Sequence, residues 1–413
     1  MPESYFHDKV SDIMERFPKL GIFLSISPLI VSVLDTVFHK VNTLKTKILK
    51  NRSTPFYILS TGDYKKSSKH NVEKTANLYK EMYTTEDSEV SPVAKKTEDS
   101  SNRVKEYKDL VSNFYDLVTD FYTYGWGHSF HFAPRWKNES LIDSIKRYEY
   151  SLANKIGLKS GMLCLDVGCG VGGPMRNIAK FSGAKIEGIT INEYQTKIGN
   201  RFSKEMQIDH LCHSNCCDFQ NIIFSDEHFD AAFSIEATCH SPDRTKTFEE
   251  IYRVLKPGSY YGCFDWILTE KYDKENEEHV ALKKAIEEGN GLPCLTGKEP
   301  ILDAIHKAGF ELVEENDLNK NLHASNQTPW YDPLNGELTI EKFYTSYWGR
   351  QITTLSLFIL EKFSMVSPGT TKISNFLNQA ADDLVKAGKK EIFTPSYFVL
   401  VRKPLKIEKK IES

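Results

Sequence analysis

The stretch that decides the fold of this chain is Leu165-Asp166-Val167-Gly168-Cys169-Gly170-Val171-Gly172-Gly173. An apolar run over residues 162–165 leads into it, and a helix-forming run resumes at residues 175–180. This order predicts a strand, a tight turn and the start of a helix, because glycine lets the backbone turn sharply and approach a ligand closely. Asp166 then falls at the carboxyl end of the strand, where open α/β sheets bind their ligands.

The glycine spacing by itself does not identify the ligand. Gly168-x-Gly170-x-x-Gly173 also satisfies the dinucleotide fingerprint, so a NAD-dependent dehydrogenase is one alternative and a turn without a ligand is another. Two acids favour S-adenosylmethionine. Asp166 lies two residues before the first glycine, which suits a cationic amino-acid end rather than a pyrophosphate, and Asp218 could accept a hydrogen bond from the adenine amino group.

Length and composition restrict the class of protein. A chain of 413 residues with 40% hydrophobic residues has room for two or three domains and a sizeable core. The net charge of -3 gives no electrostatic case for nucleic-acid binding. The eight cysteines form no C-x-x-C pair, which favours small core residues in a reducing compartment. Cys212-His213 with Cys216-Cys217 lacks the usual zinc spacing, so we predict no metal site.

The amino-terminal segment, residues 1–50, predicts membrane contact. Its apolar stretch 20–38 carries one charge, Asp35, and is long enough to span a bilayer. Pro28 and several serines weaken a spanning helix, so a helix in the membrane interface or one packed on the protein itself is the alternative. By the positive-inside tendency, the basic residues that follow would place the catalytic part in the cytosol. These residues are Lys40, Lys45, Lys47, Lys50 and Arg52.

Residues 51–104 are rich in Lys, Ser, Thr and Glu, which predicts a polar, solvated linker. From residue 105 onward, strand and helix patterns alternate, which implies an α/β fold with a parallel sheet and right-handed crossovers. The predicted strands are 162–167, 185–191, a short one ending near 217, 231–235, 260–268, 310–314 and 391–401. The predicted helices are 107–122, 139–156, one from 174, one from 193, 244–255, 276–289, 300–308, 339–363 and 374–386.

Two groups of side chains could carry chemistry. Glu236 and His240 follow the presumed fourth strand and could form a proton-accepting pair, or could simply be satisfied by backbone groups. An aromatic cluster interleaved with glycines and histidines predicts a loop whose rings would attract a cation. Its members are Tyr122, Tyr124, Trp126, His128, Phe130, His131, Phe132 and Trp136. A second aromatic set is more typical of hydrophobic packing in a cap: Trp330, Tyr331, Phe343, Tyr344, Tyr347 and Trp348.

These stretches together resemble the sterol methyltransferase family. The matching runs lie in order along residues 107–404: Tyr124-Gly125-Trp126-Gly127-His128-Ser129-Phe130-His131-Phe132, 165–174, 235–240, Asp265-Trp266-Ile267-Leu268-Thr269-Glu270-Lys271-Tyr272, Thr328-Pro329-Trp330-Tyr331 with Pro333-Leu334, Phe393-Thr394-Pro395 and Val401-Arg402-Lys403-Pro404. The resemblance implies a Rossmann-like, seven-stranded methyltransferase core, and we assign its S-adenosylmethionine-binding part to residues 105–270. It also implies a sterol-binding carboxyl-terminal segment over residues 271–404, and association with endoplasmic reticulum membranes.

The resemblance suggests a role for each candidate residue. Asp166 and the glycine turn, with Gly168, Gly170 and Gly172, would hold the amino-acid end of S-adenosylmethionine. Residues near Ile191 and Asn192 would lie by the ribose and Asp218 by the adenine, and Gln195 is a further cofactor-binding candidate. Tyr122, Tyr124 and Trp126 would stabilise a cation on the sterol. Glu236 or His240 would accept a proton, with His128 and His131 as substitutes.

The position of methylation is open at this point. Fungal and plant members show an acid in Tyr-Glu-Tyr-Gly-Trp-Gly and methylate carbon 24 of an alkene side chain, whereas Thr123 stands in its place here. A related branch methylates carbon 4 of the ring, and Thr123 with the amino-terminal extension favours that branch slightly. A homo-oligomer is compatible with the sequence. The rival functions are a methyltransferase for a small amine or phenol and a sterol-binding protein without activity.

Overall fold

The structure is a computed structural model that describes residues 76, 79, 83, 103–320, 326–335, 344–363 and 366–405. The apolar stretch 20–38 and Phe343 lie outside these residues. Among the helices that the structure describes, none is long and apolar enough to cross a membrane.

The strands are β1 (Arg135–Trp136), β2 (Leu163–Val167), β3 (Lys185–Thr190), β4 (Cys212–Cys216), β5 (Phe229–Ile235), β6 (Leu255–Leu268), β7 (Glu311–Asp317), β8 (Gln327–Thr328) and β9 (Phe393–Arg402). The helices are α1 (Tyr107–Gly125), α2 (Leu141–Lys155), α3 (Gly173–Ser182), α4 (Glu193–Glu205), α5 (Arg244–Val254), α6 (Glu277–Asn290), α7 (Lys298–Lys307), α8 (Asp332–Asn335), α9 (Tyr347–Lys362) and α10 (Thr370–Lys389).

Seven strands form one sheet in the order β4-β3-β2-β5-β6-β9-β7, which confirms the predicted seven-stranded α/β core. Strands β2 to β6 run parallel, and β9 runs antiparallel to both of its neighbours. The strand order reverses between β2 and β5, so the ligand crevice of an open sheet lies there. The short pair β1 and β8 was not predicted, because two residues leave no alternating pattern.

Helices cover both faces of the sheet. Leu165 faces the helices α5 and α7, while its neighbour Cys164 faces α2 and α3, as expected when side chains alternate along a strand. A strand buried on both faces reads as a continuous apolar run, which is why β2 was recognisable. Six of the eight cysteines are buried as predicted, whereas Cys216 is exposed and Cys294 is half-buried.

A third core belongs to the carboxyl-terminal segment, where α6 and α10 pack on the ends of β6 and β9. Two tyrosines of the predicted solvated linker join this region. Tyr79 and Tyr83 are each 2% exposed, and the Tyr83 hydroxyl lies 3.1 Å from the carbonyl oxygens of Glu287 and Leu292. The linker prediction is therefore wrong for these two residues.

Candidate active site

A cavity of about 760 Å³, counting its open mouth, lies at the carboxyl ends of β2, β3 and β5. We call it the cofactor cavity. Its wall includes Gly168, Cys169, Gly170, Val171, Thr190, Ile191, Gln195, Asp218, Phe219, Ile235, Glu236, Ala237, His128, Phe130, His131 and His240. Pro174 and three residues of α1 complete the wall; those of α1 are Tyr107, Val111 and Tyr115. The predicted glycine turn thus opens onto a cavity of the size that small molecules occupy.

The glycine turn is required by its backbone geometry. Gly168 has a φ of +86°, and a Cβ at this position would lie 2.3 Å from the Cβ of Ala237. Gly170 has a φ of +53°, and only Gln195 Nε2 would lie within 4 Å of a Cβ there. Gly172, with a φ of +75°, is the N-cap of α3 and leaves the first amides of that helix directed toward the turn. Such amides favour a carboxylate, as the amino-acid end of S-adenosylmethionine provides.

Gly173 marks a close approach of the aromatic segment to this turn. A Cβ there would lie 2.0 Å from the carbonyl oxygen of His128, a backbone atom.

We expect Gly173→Ala to lower the free energy of unfolding by about 1–3 kcal/mol through overpacking, measured as a reduced melting temperature. Gly125→Ala is the control, since a Cβ at Gly125 meets nothing within 4 Å. Equal melting of both variants would contradict the packing argument.

Asp166 lies in β2 directly before the turn and is 3% exposed. Its Oδ2 atom is buried and has no hydrogen-bond partner among the described residues. Burial and the nearby Glu149 raise the pKa of this carboxyl, and the charge of His131 opposes them in part. A buried carboxyl with an unused oxygen beside a glycine turn fits the ammonium group of an amino-acid ligand.

The residues assigned to ribose and adenine differ in how the structure uses them. Gln195 and Asp218 line the cofactor cavity, and Asp218 also pairs with Lys108 Nζ at 2.9 Å. Asn192 is fully buried, and its Oδ1 accepts the amide N–H of Gln195 at 2.8 Å to cap α4. Its Nδ2 donates to Asp116 Oδ1 at 2.7 Å. The ribose role predicted for Asn192 is therefore corrected to a structural one.

Helix α1 closes over the cofactor cavity through polar contacts that its apolar face did not reveal. Besides the bond from Asn192 to Asp116, the Tyr194 hydroxyl donates to Asp120 Oδ1 at 2.8 Å. Gln195 Nε2 donates to Thr119 Oγ1 at 3.3 Å. These contacts tie α1 to the start of α4 beside the cavity.

A second cavity, of about 900 Å³ counting its mouth, lies between α1, the aromatic segment and the carboxyl-terminal helices. We call it the substrate cavity. Its wall is largely aromatic and aliphatic, with Phe121, Tyr122, Tyr124, Trp126, Phe132, Trp266, Leu334, Tyr344, Leu377 and Leu384. Polar residues contributed by α9 and α10 are Arg350, Thr353, Ser374 and Asn378. Three residues line both cavities, namely Phe130, His131 and Glu236, so the two cavities meet at these side chains.

Glu236 stands at this junction in a left-handed conformation, with a φ of +53°. It is 8% exposed, and Oε1 accepts the amide N–H of Phe132 at 2.8 Å. Burial raises the pKa of this carboxyl to about 8, and the charge of His131 opposes the rise. Such a group is well matched to exchange a proton near neutral pH and to ionise beside a developing cation.

His131 is unsuited to the proton-accepting role proposed for it. Its Nδ1 donates to the carbonyl of Phe132 at 2.7 Å, and its Nε2 faces Glu149 Oε1 at 3.1 Å. Burial lowers the pKa of the imidazole. The hydrogen bond and the charge of Glu149 raise it by more than burial lowers it, so the net shift of the pKa is upward. Because each ring nitrogen faces an acceptor oxygen, the ring is placed to donate hydrogen bonds rather than to accept a proton. Glu149 belongs to no motif and was missed by sequence reasoning; it also accepts hydrogen bonds from Ser129 and Asn177.

His240 lines the cofactor cavity but makes no pair with Glu236. Its Nδ1 donates to the carbonyl of Gly291 at 3.0 Å, which leaves Nε2 to accept from the Tyr115 hydroxyl at 3.0 Å. Burial lowers the pKa of His240 to about 4, so the ring is neutral. The predicted proton-accepting pair is corrected to two separate groups, and Tyr115 is the partner that sequence reasoning missed.

The turn that carries Glu236 and His240 is held by Asp265, a fully buried acid with no role assigned from sequence. Its carboxylate accepts the Thr238 hydroxyl at 2.7 Å and the Cys239 amide at 3.0 Å, and pairs with Arg244. Buried charges of this kind need full pairing, which Arg244 supplies. Asp265 therefore fixes where the turn presents its side chains.

The aromatic cluster is only partly a loop. Tyr122 and Tyr124 lie on α1, which ends at Gly125, so the predicted break before Tyr124 is wrong. Both tyrosines and Trp126 line the substrate cavity, whereas the ring of His128 stacks on Phe202 with centroids 4.0 Å apart. Burial and the nearby Arg176 lower the pKa of His128 to about 4.

In the second aromatic set, Trp330 packs in the core as predicted. Tyr344, Tyr347 and Trp348 are instead exposed. Within the described ranges, no group of His, Cys, Asp and Glu side chains could hold a metal ion.

Comparisons with known proteins agree with this geometry. The family model described as sterol methyltransferase C-terminal matches residues 340–405, and a methyltransferase domain model matches residues 165–263. The chain is 46% identical to cycloartenol-C-24-methyltransferase 1 of Oryza sativa subsp. japonica over 73% of its length and 87% of that protein. It is 40% identical to sterol 24-C-methyltransferase of Candida albicans over 75% of its length and 83% of that protein.

Solved structures share the fold at low identity. A geranyl diphosphate methyltransferase in complex with GPP and sinefungin aligns with a TM-score of 0.52 at 14% identity, over 72% of this chain and 99% of that one. The [4+2]-cyclase SpnF aligns with a TM-score of 0.51 at 22% identity, over 71% of this chain and 95% of that one. These likenesses concern the fold alone.

Proposed function

This chain belongs to the sterol methyltransferase family, and we propose that it transfers a methyl group from S-adenosylmethionine to carbon 24 of a sterol side chain. The observation that carries the proposal is the meeting of the cofactor and substrate cavities at Phe130, His131 and Glu236. A methyl donor in one cavity and a sterol in the other would meet there with water excluded, which favours the aligned approach that methyl transfer needs.

The chain's own residues have distinct parts in this reaction. S-adenosylmethionine supplies an electrophilic methyl group. The rings of Tyr122 and Trp126, which contact Phe130 and Phe132 beside the junction, face the side-chain carbon that becomes positive when the alkene forms its new carbon–carbon bond. Tyr124, which contacts Tyr344, instead lies toward the opposite end of the cavity. Glu236 accepts the proton whose loss restores a neutral sterol.

The polarity of the substrate cavity supports carbon 24. A sterol carries its oxygen at carbon 3, at the end of the molecule remote from carbon 24. With carbon 24 at the junction, that oxygen faces the polar wall from α9 and α10. There Thr353 Oγ1 is buried near the phenol of Tyr124 and has no hydrogen-bond partner of good geometry among the described residues. Methylation at carbon 4 would instead direct the apolar side chain toward Arg350 and Asn378.

Thr123 does not support the earlier preference for carbon 4. It is 8% exposed, its hydroxyl donates to the carbonyl of Thr119 at 2.9 Å, and the described walls of both cavities are formed by other residues.

We expect Thr123→Val to leave the methylated carbon unchanged and to cost about 1 kcal/mol or less of stability. NMR of the product and thermal unfolding measure the two effects. A shift of the methyl group to the ring would contradict this reading.

The deciding experiment incubates the chain with methyl-labelled S-adenosylmethionine and four acceptors. These are a sterol with a carbon-24 alkene, the same sterol with a saturated side chain, a 3-keto sterol, and a soluble amine or phenol. We expect label only in the alkene, at carbon 24 by mass spectrometry and NMR. Label in the ring would replace carbon 24 by carbon 4. Label only in the soluble acceptor would support the small-molecule rival, and sterol binding without label would support the inactive rival.

We further propose that the protein associates with the endoplasmic reticulum membrane with its catalytic part in the cytosol. The apolar stretch 20–38 and the basic residues behind it support this placement. Protease treatment of sealed microsomes tests it. Cleavage of the catalytic part without added detergent is expected, and protection would reverse the orientation.

A further inference from the structure

One short segment holds half of the large hydrophobic side chains that are exposed in the described residues. Sixteen such residues are found, and eight of them fall between positions 344 and 363. We call these eight residues the α9 apolar face. They are Tyr344, Tyr347, Trp348, Ile352, Leu355, Phe358, Ile359 and Phe363. Soluble monomers rarely expose so much contiguous apolar surface, so a face of this kind marks an interaction site.

The face is a regular stripe along the helix. Trp348, Ile352, Leu355 and Ile359 recur at the spacing of three and four residues that places side chains on one side of a helix. Leu357, on the opposite side, is 2% exposed. The polar residues exposed along α9 are Ser356 and Lys362. The exposed side of α9 is therefore more apolar than the exposed side of a helix that faces water.

The buried side of the same helix belongs to the substrate cavity, to which it contributes Arg350 and Thr353. Tyr344 connects the two sides. It lines the substrate cavity, is 41% exposed, and contacts the ring of Tyr124 with centroids 4.7 Å apart. The wall of the cavity thus reaches the surface at one end of the α9 apolar face.

We propose that the α9 apolar face docks onto a lipid bilayer and that sterol passes from the bilayer past Tyr344 into the substrate cavity. Rings at the start of the helix, Tyr347 and Trp348, suit the headgroup level of a membrane interface. Lys362 at its end can keep its charge in water while its stem lies along apolar surface. The docking is inferred from the exposed apolar residues alone, whereas the route of the sterol rests on the proposed function.

A bilayer fits this surface better than a second copy of the chain. A sterol resides in lipid, and a cavity whose wall surfaces at Tyr344 can receive it without exposing it to water. A second copy on the same face would cover that point and obstruct the route. An amphipathic helix lying in the interface needs no spanning segment, which agrees with the length and composition of α9.

The test compares Leu355→Asp with Ile223→Asp in the full chain. The two residues are 61% and 62% exposed, and Ile223 lies on the connection between β4 and β5. Turnover is measured with sterol embedded in phosphatidylcholine vesicles and with sterol delivered by cyclodextrin. We expect Leu355→Asp to lower turnover of vesicle-borne sterol at least tenfold and to leave cyclodextrin turnover within about twofold of the unaltered chain. Ile223→Asp should match the unaltered chain in both.

A second readout does not depend on activity. Brominated lipids should quench the fluorescence of Trp348, and the quenched component should disappear in Trp348→Phe but persist in Trp136→Phe, which removes a ring that is 42% exposed in β1. Equal vesicle turnover by Leu355→Asp and the unaltered chain would overturn the docking, as would an equal loss with both sterol forms. A dimer that Leu355→Asp dissociates would assign the face to a second copy. Absence of methylation in every form would refute the proposed function, while the quenching would still decide the docking.

Discussion

Glu236→Gln should reduce sterol methylation by a factor between about 10² and 10⁴, the range typical of a lost proton-transfer group. Gln keeps the size of the side chain and an oxygen to accept the amide of Phe132, which Glu236 now binds at 2.8 Å. What it removes is the negative charge at the junction of the two cavities. Steady-state methyl transfer measures the effect, and calorimetry should show affinity for S-adenosylmethionine within a few-fold of the unaltered chain.

The pH profile separates a chemical role of Glu236 from a structural one. Burial raises the pKa of this carboxyl to about 8, and only the ionised form can accept a proton. In the unaltered enzyme, kcat/KM should therefore fall about tenfold per unit as pH decreases below that value and level off above it. In Glu236→Gln the residual kcat/KM should lack this step. A variant that keeps the step, or more than a tenth of the turnover, would show that another group accepts the proton.

The parts of the site that could be predicted are those whose signal is local in sequence. The turn after β2 needs glycine because Gly168 has a φ of +86° and meets Ala237, and such a requirement appears as a residue type at a fixed spacing. Helix α1 was found from its apolar period, and its predicted bounds were short by three residues because Gly125 and Gly127 predict an earlier end to the helix. Boundaries of this kind depend on the packing of the helix end against the substrate cavity.

The parts that escaped prediction are pairings between residues remote in sequence. Glu149 on α2 raises the pKa of His131, and His240 is held in one tautomer by Gly291 after α6. Neither partner belongs to a motif, so the sequence alone could not assign the protonation of either ring. Asn192 shows the converse, since a polar residue in the expected position is committed to a helix cap and to Asp116.

The α9 apolar face was misjudged for a related reason. An aromatic-rich helix predicts packing inside a cap, and Trp330 does pack in this way. On α9 the same composition points outward, because α10 and the substrate cavity occupy the other side of the helix. Hydrophobic periodicity identifies one face of a helix but does not say whether protein or lipid covers it.

Asp166→Asn should weaken the binding of S-adenosylmethionine about 100-fold at neutral pH, measured by calorimetry. The substitution keeps the shape of the side chain and removes the charge that would pair with the ammonium group of the ligand. A hydrogen bond to a charged group contributes about 1.5–3 kcal/mol, and 1.4 kcal/mol corresponds to a tenfold change in affinity. The Oδ2 atom of Asp166 has no other partner among the described residues, so little else should change. Asp143→Asn, at the exposed start of α2, is the matched change of charge and should bind S-adenosylmethionine normally.

The pH dependence of binding gives the sharper form of this prediction. Burial and Glu149 raise the pKa of Asp166 in the ligand-free protein, so its carboxyl takes up a proton at a higher pH than an exposed aspartate does. The ammonium group of the ligand binds the ionised carboxylate of Asp166. Below the raised pKa, this carboxyl must therefore lose its proton when the ligand binds. Affinity should consequently fall as pH decreases through the raised pKa in the unaltered chain, and this dependence should vanish in Asp166→Asn. If both proteins lost affinity in parallel, a different group would hold the ammonium, and the carboxyl at the turn would serve only the fold.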